Sequence, residues 1–470
     1  MPERSYFETV QALKEYLRCD QSFDVVAHPL RIGERAATLF FVDGFAKDEI
    51  LQKLLEYLLS LSNKQVKEVH SAADFTDRFI THIESGVASD IPTIGKQVLS
   101  GFEALVIEGL DQVVMIEARS YPVRGMDEPS TDRVMRGPHD GFVETLVFNT
   151  ALIRRRIRDP QLIMEITQVG EVSSTDVVMC YMQNKVDRKQ LDRLRQKIKN
   201  LRIPSLTMAQ ESLAECLMHK QWYNPFPKVR YTERPDTAAS CLNEGQILVL
   251  TDNSAAAMII PSAMVDFLQD TNDFCFPPLV GTYLRLVRTL IFFGTLLLMP
   301  LWYLLVKNPD GVPPGLQFLL IKEQTDVPIL LQIIIAELII DGIKIASLNT
   351  PNSLNGAFSV VGGLILGEFA VSAGIFVPEV LLYMAFTATA TFTQPSLELG
   401  YTFKLFRLML ILLVAWLNWV GFWIGIAVML ILMVTTETPI GRRYLYPIIP
   451  FNGRALLRQI IRFPIEEDNS

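Results

Sequence analysis

The chain has 470 residues, half of them hydrophobic, which is too long for one ordinary core. Its 51 acidic residues outnumber 43 basic ones for a formal net charge of −8, which excludes a surface built mainly to neutralise nucleic-acid phosphates. Most of the charge precedes residue 285 and most of the apolar excess follows it, so a soluble part followed by a membrane part is the natural division.

The five cysteines (Cys19, Cys180, Cys216, Cys241, Cys275) have no CxxC or other metal-ligand spacing. Reduced thiols facing the cytosol are expected. All five histidines (His28, His70, His82, His139, His219) lie before the apolar part, which excludes a His-ligated metal within it. No nucleophile, base and oxyanion set assembles from these residues, so no catalytic residue, cofactor or metal is expected and an enzyme is the least favoured class.

The first 17 residues are charged and amphipathic without a signal-peptide apolar core, so the N-terminal half is expected in the cytoplasm. Phe7, Val10, Leu13 and Leu17 recur at helical spacing, as do Ile50, Leu54, Leu58 and Leu61. Between them, 37–42 (ATLFFV) reads as a strand ending at the Asp43-Gly44 turn. Residues 1–90 are thus expected to form a small α/β subdomain, with Asp90, Ile91 and Pro92 marking a join. A second α/β subdomain is expected over 91–275. It opens on a hairpin, 104–107 with 113–118, and continues through a polar loop into a helix that Asp140 and Gly141 would cap ahead of Phe142. Strands follow at 162–169 and 176–182, then helices at 187–201 and 206–220, then a second hairpin, 246–251 with 256–260. The second hairpin, QILVLTDNSAAAMIIP, loosely echoes FEALVIEGLDQVVMIEA, which suits two lobes without establishing a duplication.

From 276 to 440 the pattern is that of a helical transmembrane domain. Residues 286–306 carry one charge in 21 positions, and a bilayer core of about 30 Å needs roughly 20 apolar helical residues. Further spans are expected at 354–374, 377–393 and 405–436, the last either one tilted helix or a pair split at 418–421. That makes four to five membrane helices. The run 327–341 is short and contains Gln332 and Glu337, so an in-plane or re-entrant helix is expected there. Arg285 and Arg288, and Arg442, Arg443, Arg454, Arg458 and Arg462 in a basic tail over 441–470, place both ends on the cytoplasmic side.

Four blocks, in order, resemble the A-subunit family of bacterial spore germinant receptors (the GerA family). They are RVMRGPHDGFVETLVFNTALIRRRIRDPQL from Arg133, ERPD from Glu233, VVGGLILGEFAVSAGI from Val360 and YLYPIIPF from Tyr444. The resemblance covers roughly 90–455. It implies a multi-pass protein of the inner spore membrane with cytoplasmic N-terminal domains, a homo-oligomeric ring around an ion-conducting pore, and other germination membrane proteins as partners. It further implies release of monovalent cations during germination and amplification of that release.

Some residues stand out by their own chemistry. Arg154, Arg155 and Arg156 end a helix, where cations complement its dipole; with Arg136 they are also candidates for contact between subunits, facing Asp132 or Glu144. Glu337, Asp341 and Lys344 share one helical face, either a water-facing stripe or the carboxylate entrance of a cation path. Asn355, Ser359, Gly363 and Gly367 form one small or polar face of 354–376, suited to helix packing or to a pore. Val360, Val361 and Leu364 are candidates for an apolar constriction and Glu368 for a mouth.

The expectation is therefore a two-lobed α/β cytoplasmic region followed by an α-helical transmembrane domain, acting as an oligomeric ion channel subunit. The alternatives are a secondary transporter and a non-conducting scaffold.

Overall fold

The computed structural model describes residues 5–46, 48–80, 84–119, 132–218, 222–322, 326–349, 370–441 and 444–463. They fall into two compact units. One comprises Met1–His219, Val229–Ser262 and Thr438–Arg442; the other comprises Lys220–Lys228, Ala263–Glu437 and Arg443–Ser470.

The first unit contains two five-stranded antiparallel sheets. Its first lobe is built from α1 (Tyr6–Leu17), β1 (Val25–Ile32), β2 (Arg35–Val42), α2 (Asp48–Ser60), α3 (Asn63–Lys67), α4 (Ala72–Phe79), β3 (Ser85–Ala88), α5 (Ile91–Val98), β4 (Glu103–Ile107) and β5 (Val113–Ile116). The second lobe follows as α6 (Leu146–Arg156), β6 (Leu162–Val169), β7 (Thr175–Met182), α7 (Arg188–Lys199), α8 (Gln210–Leu217), β8 (Arg230–Thr232), α9 (Pro235–Asn243), β9 (Ile247–Thr251) and β10 (Ala257–Ile260). Strand order is β1-β2-β4-β5-β3 in one sheet and β6-β7-β9-β10-β8 in the other, the same topology twice.

The correspondence reaches single residues. One constant shift in residue number carries Gly101 to Gly245, Glu103 to Ile247, Val113 to Ala257 and Ala88 to Thr232. Ala88 pairs with Val113 as Thr232 pairs with Ala257, and Glu103 pairs with Ile116 as Ile247 pairs with Ile260. The hairpin echo in the sequence is therefore one part of a repeated α/β unit. Helices cover both faces of each sheet, so β4, β5, β9 and β10 are buried at every residue, and such strands read as continuous apolar runs rather than alternating ones.

Three expectations are corrected here. Ala37 to Phe40 of β2 pair with Ile107 to Ala104 of β4, so the first hairpin belongs to the first sheet and the join expected at residue 90 is no boundary. Asp90 instead caps α5, accepting from the Thr93 amide at 3.1 Å. The helix expected from Phe142 begins at Leu146, because the Phe142 amide donates to the Glu233 carbonyl.

The second unit contains α10 (Pro278–Lys307), α11 (Ile329–Asn349), α12 (Pro378–Thr391), α13 (Leu397–Thr435) and α14 (Gly453–Ile460). Among the described residues, α10 and α13 are long and apolar enough to cross a membrane. The run expected at 327–341 continues as a helix to Asn349. Within α13 the backbone leaves helical geometry at Asn418, with φ 54° and ψ −132°. A β-carbon on Gly425 would lie 2.5 Å from Leu410 Cδ2, and one on Gly421 2.0 Å from the Leu413 carbonyl oxygen. Residues 410 and 425 would stand about 22 Å apart along an unbroken helix. The chain therefore turns back at Asn418 as a helical hairpin, and the two glycines let its arms close. Asn308 and Asn418 exchange amide hydrogen bonds of 2.7 and 2.8 Å at the tip. There Lys307 Nζ donates to the Val414 and Ala415 carbonyls, capping the first arm.

Candidate functional site

Two clusters of charge gather the residues singled out above, one in each unit. In the first unit the centre is α6, seven of whose residues are buried, including Asn149, Thr150 and Arg154. The polar groups on the buried side of this helix cannot turn to water, so each must find a partner. Asn149 exchanges hydrogen bonds with the backbone of Val143. Arg154, fully enclosed, donates from Nε to Asp24 Oδ2 at 2.7 Å and from Nη2 to Asp24 Oδ1, Ser22 Oγ and the Leu162 carbonyl. Asp24 precedes β1 in the first lobe and Arg154 belongs to the second, so this pair locks the lobes together. Its burial removes Arg154 from the candidates for a subunit contact, while Arg136 and Arg155 are exposed. Arg156 pairs with Asp140 at 2.6 Å, so Asp140 serves this pair rather than a helix cap.

Arg234 of the ERPD block is also buried. It holds Asp236 through two hydrogen bonds of 2.6 and 3.1 Å and donates to the Pro138 carbonyl. Thr232 donates to Asp132 at 2.7 Å. The ERPD and RGPHDG blocks, far apart in sequence, form one hydrogen-bonded piece at the head of α6.

In the second unit the centre is a polar network between apolar helices. Pro300 lies inside α10, where it removes a backbone donor and loosens the carbonyl ladder of the preceding turn. Arg407 of α13 reaches that turn, donating from Nη1 to the Thr295 carbonyl at 2.9 Å. From Nε it donates to Glu337 Oε1 of α11 at 2.9 Å, and Nη2 makes a second bond to the same oxygen. Lys404 completes the group, lying 3.3 Å from Glu337 Oε2 and pairing with Asp341 Oδ2. Gln394 Nε2 donates to Thr295 Oγ1 at 3.2 Å. Among the described residues, Asp341 Oδ1 and Gln394 Oε1 are buried with no hydrogen-bond partner. A narrow cavity beside the network is lined by Glu337, Lys344, Thr387, Thr391, Lys404 and Arg407. Glu337 is only 3% exposed, which corrects the reading of a water-facing stripe.

Asn355, Ser359, Val360, Val361, Gly363, Leu364, Gly367 and Glu368 lie outside the described residues. Arg285 and Arg288, expected at the cytoplasmic start of the first span, both pair with buried Asp273, at 3.1 and 2.9 Å.

The family model described as Bacillus/Clostridium GerA spore germination protein matches residues 11–470. The chain belongs to the GerA family. Relatives of this GerA-family chain include stage V sporulation protein AF of Bacillus subtilis (strain 168), 37% identical over 444 residues, spanning 94% of this chain and 89% of that protein. Spore germination protein KA of the same organism is 25% identical, over 94% and 82% of the two chains. Spore germination protein GerLA of Bacillus cereus is 28% identical, over 92% and 87%. Among solved structures, the N-terminal domain of the A subunit of the Bacillus megaterium spore germinant receptor GerK3 aligns with TM-score 0.42 and 24% identity. It covers 54% of this chain and 93% of that one. A role in spore germination or sporulation follows from membership of the GerA family.

Within this GerA-family chain, sequence reasoning found Glu337 and Asp341 but missed Lys404 and Arg407, and found Arg154 but missed Asp24. The signal in the first case was present. Lys404 and Arg407, three apart, are isolated basic residues beside a long apolar run, and a carboxylate pair four apart sits in another; charge of both signs at helical spacing in two apolar helices is the mark of a paired cluster. Asp24 carries no such mark.

Proposed function

We propose that this GerA-family chain is an oligomeric, multi-pass subunit of the inner spore membrane that conducts monovalent cations during germination and amplifies the germination response. The observation that carries this reading is the network of Glu337, Asp341, Lys404, Arg407, Gln394 and Thr295 among apolar helices. Ionisable groups are costly at membrane depth and are retained where they serve a path or a gate. The unpartnered acceptors on Asp341 and Gln394 have the chemistry a permeating cation or its hydration water would use. In this reading Glu337 and Asp341 stand at the entrance. Asn355, Ser359, Gly363 and Gly367 line the path, Val360, Val361 and Leu364 narrow it, and Glu368 lies at a mouth. Lipids and other germination membrane proteins surround the ring, and Arg136, Arg155 and Arg156 face neighbouring subunits.

The test is cation efflux from proteoliposomes containing the purified oligomer. Val361→Ala should raise potassium or sodium leak over the parent chain. An oligomer that passes no cation under any condition, with or without other germination membrane proteins, overturns the reading.

One observation favours a second reading, that of a non-conducting scaffold: each carboxylate of the network is held by Lys404 or Arg407. In that case Arg155→Glu should break assembly while Val361→Ala changes nothing.

A further inference from the structure

The C-terminal helix α14, GRALLRQI, is strongly amphipathic and has a position no part of the proposed path explains. Leu457 and Ile460 lie along one side, continued by Ile461, and all three are exposed; Phe451 just before the helix is 76% exposed. Arg454 and Arg458, one helical turn apart, flank the apolar side, and Arg462 follows. Amphipathic helices with this pattern lie in a bilayer surface, apolar side among the acyl chains and arginines reaching back to the phosphates.

The helix is held at one level along α10. Arg285 Nη1 donates to the Arg458 and Gln459 carbonyls at 3.2 and 3.4 Å, and the Arg462 amide donates to Thr282 Oγ1 at 3.1 Å. The Arg285 and Arg462 guanidiniums both lie over the Phe274 ring, 5.1 and 5.4 Å from its centroid. The uninterrupted apolar run of α10 starts just beyond Arg288. On the same first turns of α10, Leu279, Tyr283 and Leu286 are exposed, continuing the apolar belt with an aromatic of the interfacial kind. Its anchoring thus puts α14 where a spanning α10 would meet the headgroups.

We propose that α14 lies in the membrane surface, with Leu457, Ile460 and Ile461 inserted at the headgroup–acyl boundary and the exposed Arg454 against lipid phosphates. The proposal rests on the membrane reading of α10 and α13. The full chain, with Cys19, Cys216 and Cys275 changed to Ser and only the buried Cys180 and Cys241 kept, is reconstituted into phosphatidylcholine–phosphatidylglycerol vesicles. An environment-sensitive fluorophore is placed in turn at Leu457→Cys, at Arg454→Cys and, as a membrane control, at Val428→Cys of α13. Shallow and deep nitroxide lipids and aqueous iodide are the quenchers. The expected result is shallow-lipid quenching at residue 457, about 5–10 Å below the surface, roughly fivefold stronger than at 454, with deep-lipid quenching at 428. Deep quenching at 428 with iodide quenching at 457 overturns this proposal alone. Protection of 457 from every quencher overturns it in favour of a protein partner. Absence of lipid quenching at 428 overturns the membrane reading itself.

Discussion

The two lobes of the N-terminal unit share strand order, helix placement and the turn before the central hairpin, yet their first helices live in different surroundings. α1 buries only Leu13 and Leu17 and leaves Phe7 exposed, as an amphipathic helix on the outside of a sheet should. α6 takes the same place in the second lobe, but its Leu152 and Ile153 enter that lobe's core while its Ala151 enters the core of the first. A β-carbon on Gly44 would stand 3.1 Å from Ala151 Cβ and from Val147 Cγ1. The repeated helix has become the wedge between the repeats. Much of the longest family-like block is this wedge and its approach, and burial between the lobes gives Asn149 and Arg154 the partners that an outside helix would not offer.

The largest expected effect breaks this difference. Removing Arg154 leaves Asp24 charged and enclosed without its partner, so Arg154→Met should cost about 3–5 kcal/mol in chemical unfolding of the full chain. Hydrogen exchange should speed up at both α1 and α6. The neighbouring exposed Arg155→Met should cost about 1 kcal/mol or less, the most that an exposed pairing contributes. Equal, small effects from both substitutions would mean the Asp24–Arg154 lock contributes nothing to the joint between the lobes.

The comparison also separates what local sequence can reveal from what it cannot. The central hairpins were legible because 104–107, 113–116, 247–250 and 257–260 are short apolar runs bounded by turn residues. β1 was not, since VVAHPLRI is an edge strand carrying His28, Pro29 and Arg31, and edge strands tolerate residues that central strands do not. The asparagine hinge of α13 was visible as a polar break in an overlong span. The partners of Glu337 were not fixed by spacing, because Arg407 lies 70 residues away on another helix. Long-range pairings of this kind are set by tertiary packing, and the same holds for Asp24 with Arg154.

A second difference between the lobes concerns charge. Glu103 begins β4 fully enclosed, whereas its counterpart in β9 is Ile247. Burial pushes the Glu103 carboxyl from its ordinary 4.5 up to about 7, with Glu117 adding to the rise and the Ala118 amide, which donates to Oε2 at 2.9 Å, opposing it. The folded state therefore keeps a proton that the unfolded chain releases. The Glu103 contribution to stability should be greatest below pH 4.5 and should fall as pH rises through 7, by on the order of 3 kcal/mol at full development. Glu103→Gln keeps an acceptor for Ala118 and should flatten that part of the pH profile, while Ile247→Val should leave it intact. A profile unchanged by Glu103→Gln would assign the pH dependence to other carboxylates.

The smallest effect sharpens the repeat itself. Gly101 and Gly245 occupy equivalent turns with φ 97° and 87°, a region where a side chain costs about 1–2 kcal/mol. The space around them is unequal. A β-carbon at 101 would meet Arg119 Cβ at 3.1 Å, a contact that a shift of a few tenths of an ångström relieves, but at 245 it would meet the Lys185 carbonyl oxygen at 2.8 Å, closer than real β-carbons come. Gly101→Ala should therefore lose about the conformational cost alone, and Gly245→Ala measurably more, in unfolding experiments run side by side. The reverse order would show that the second lobe relaxes at this turn more readily than the first, despite the backbone carbonyl packed against it.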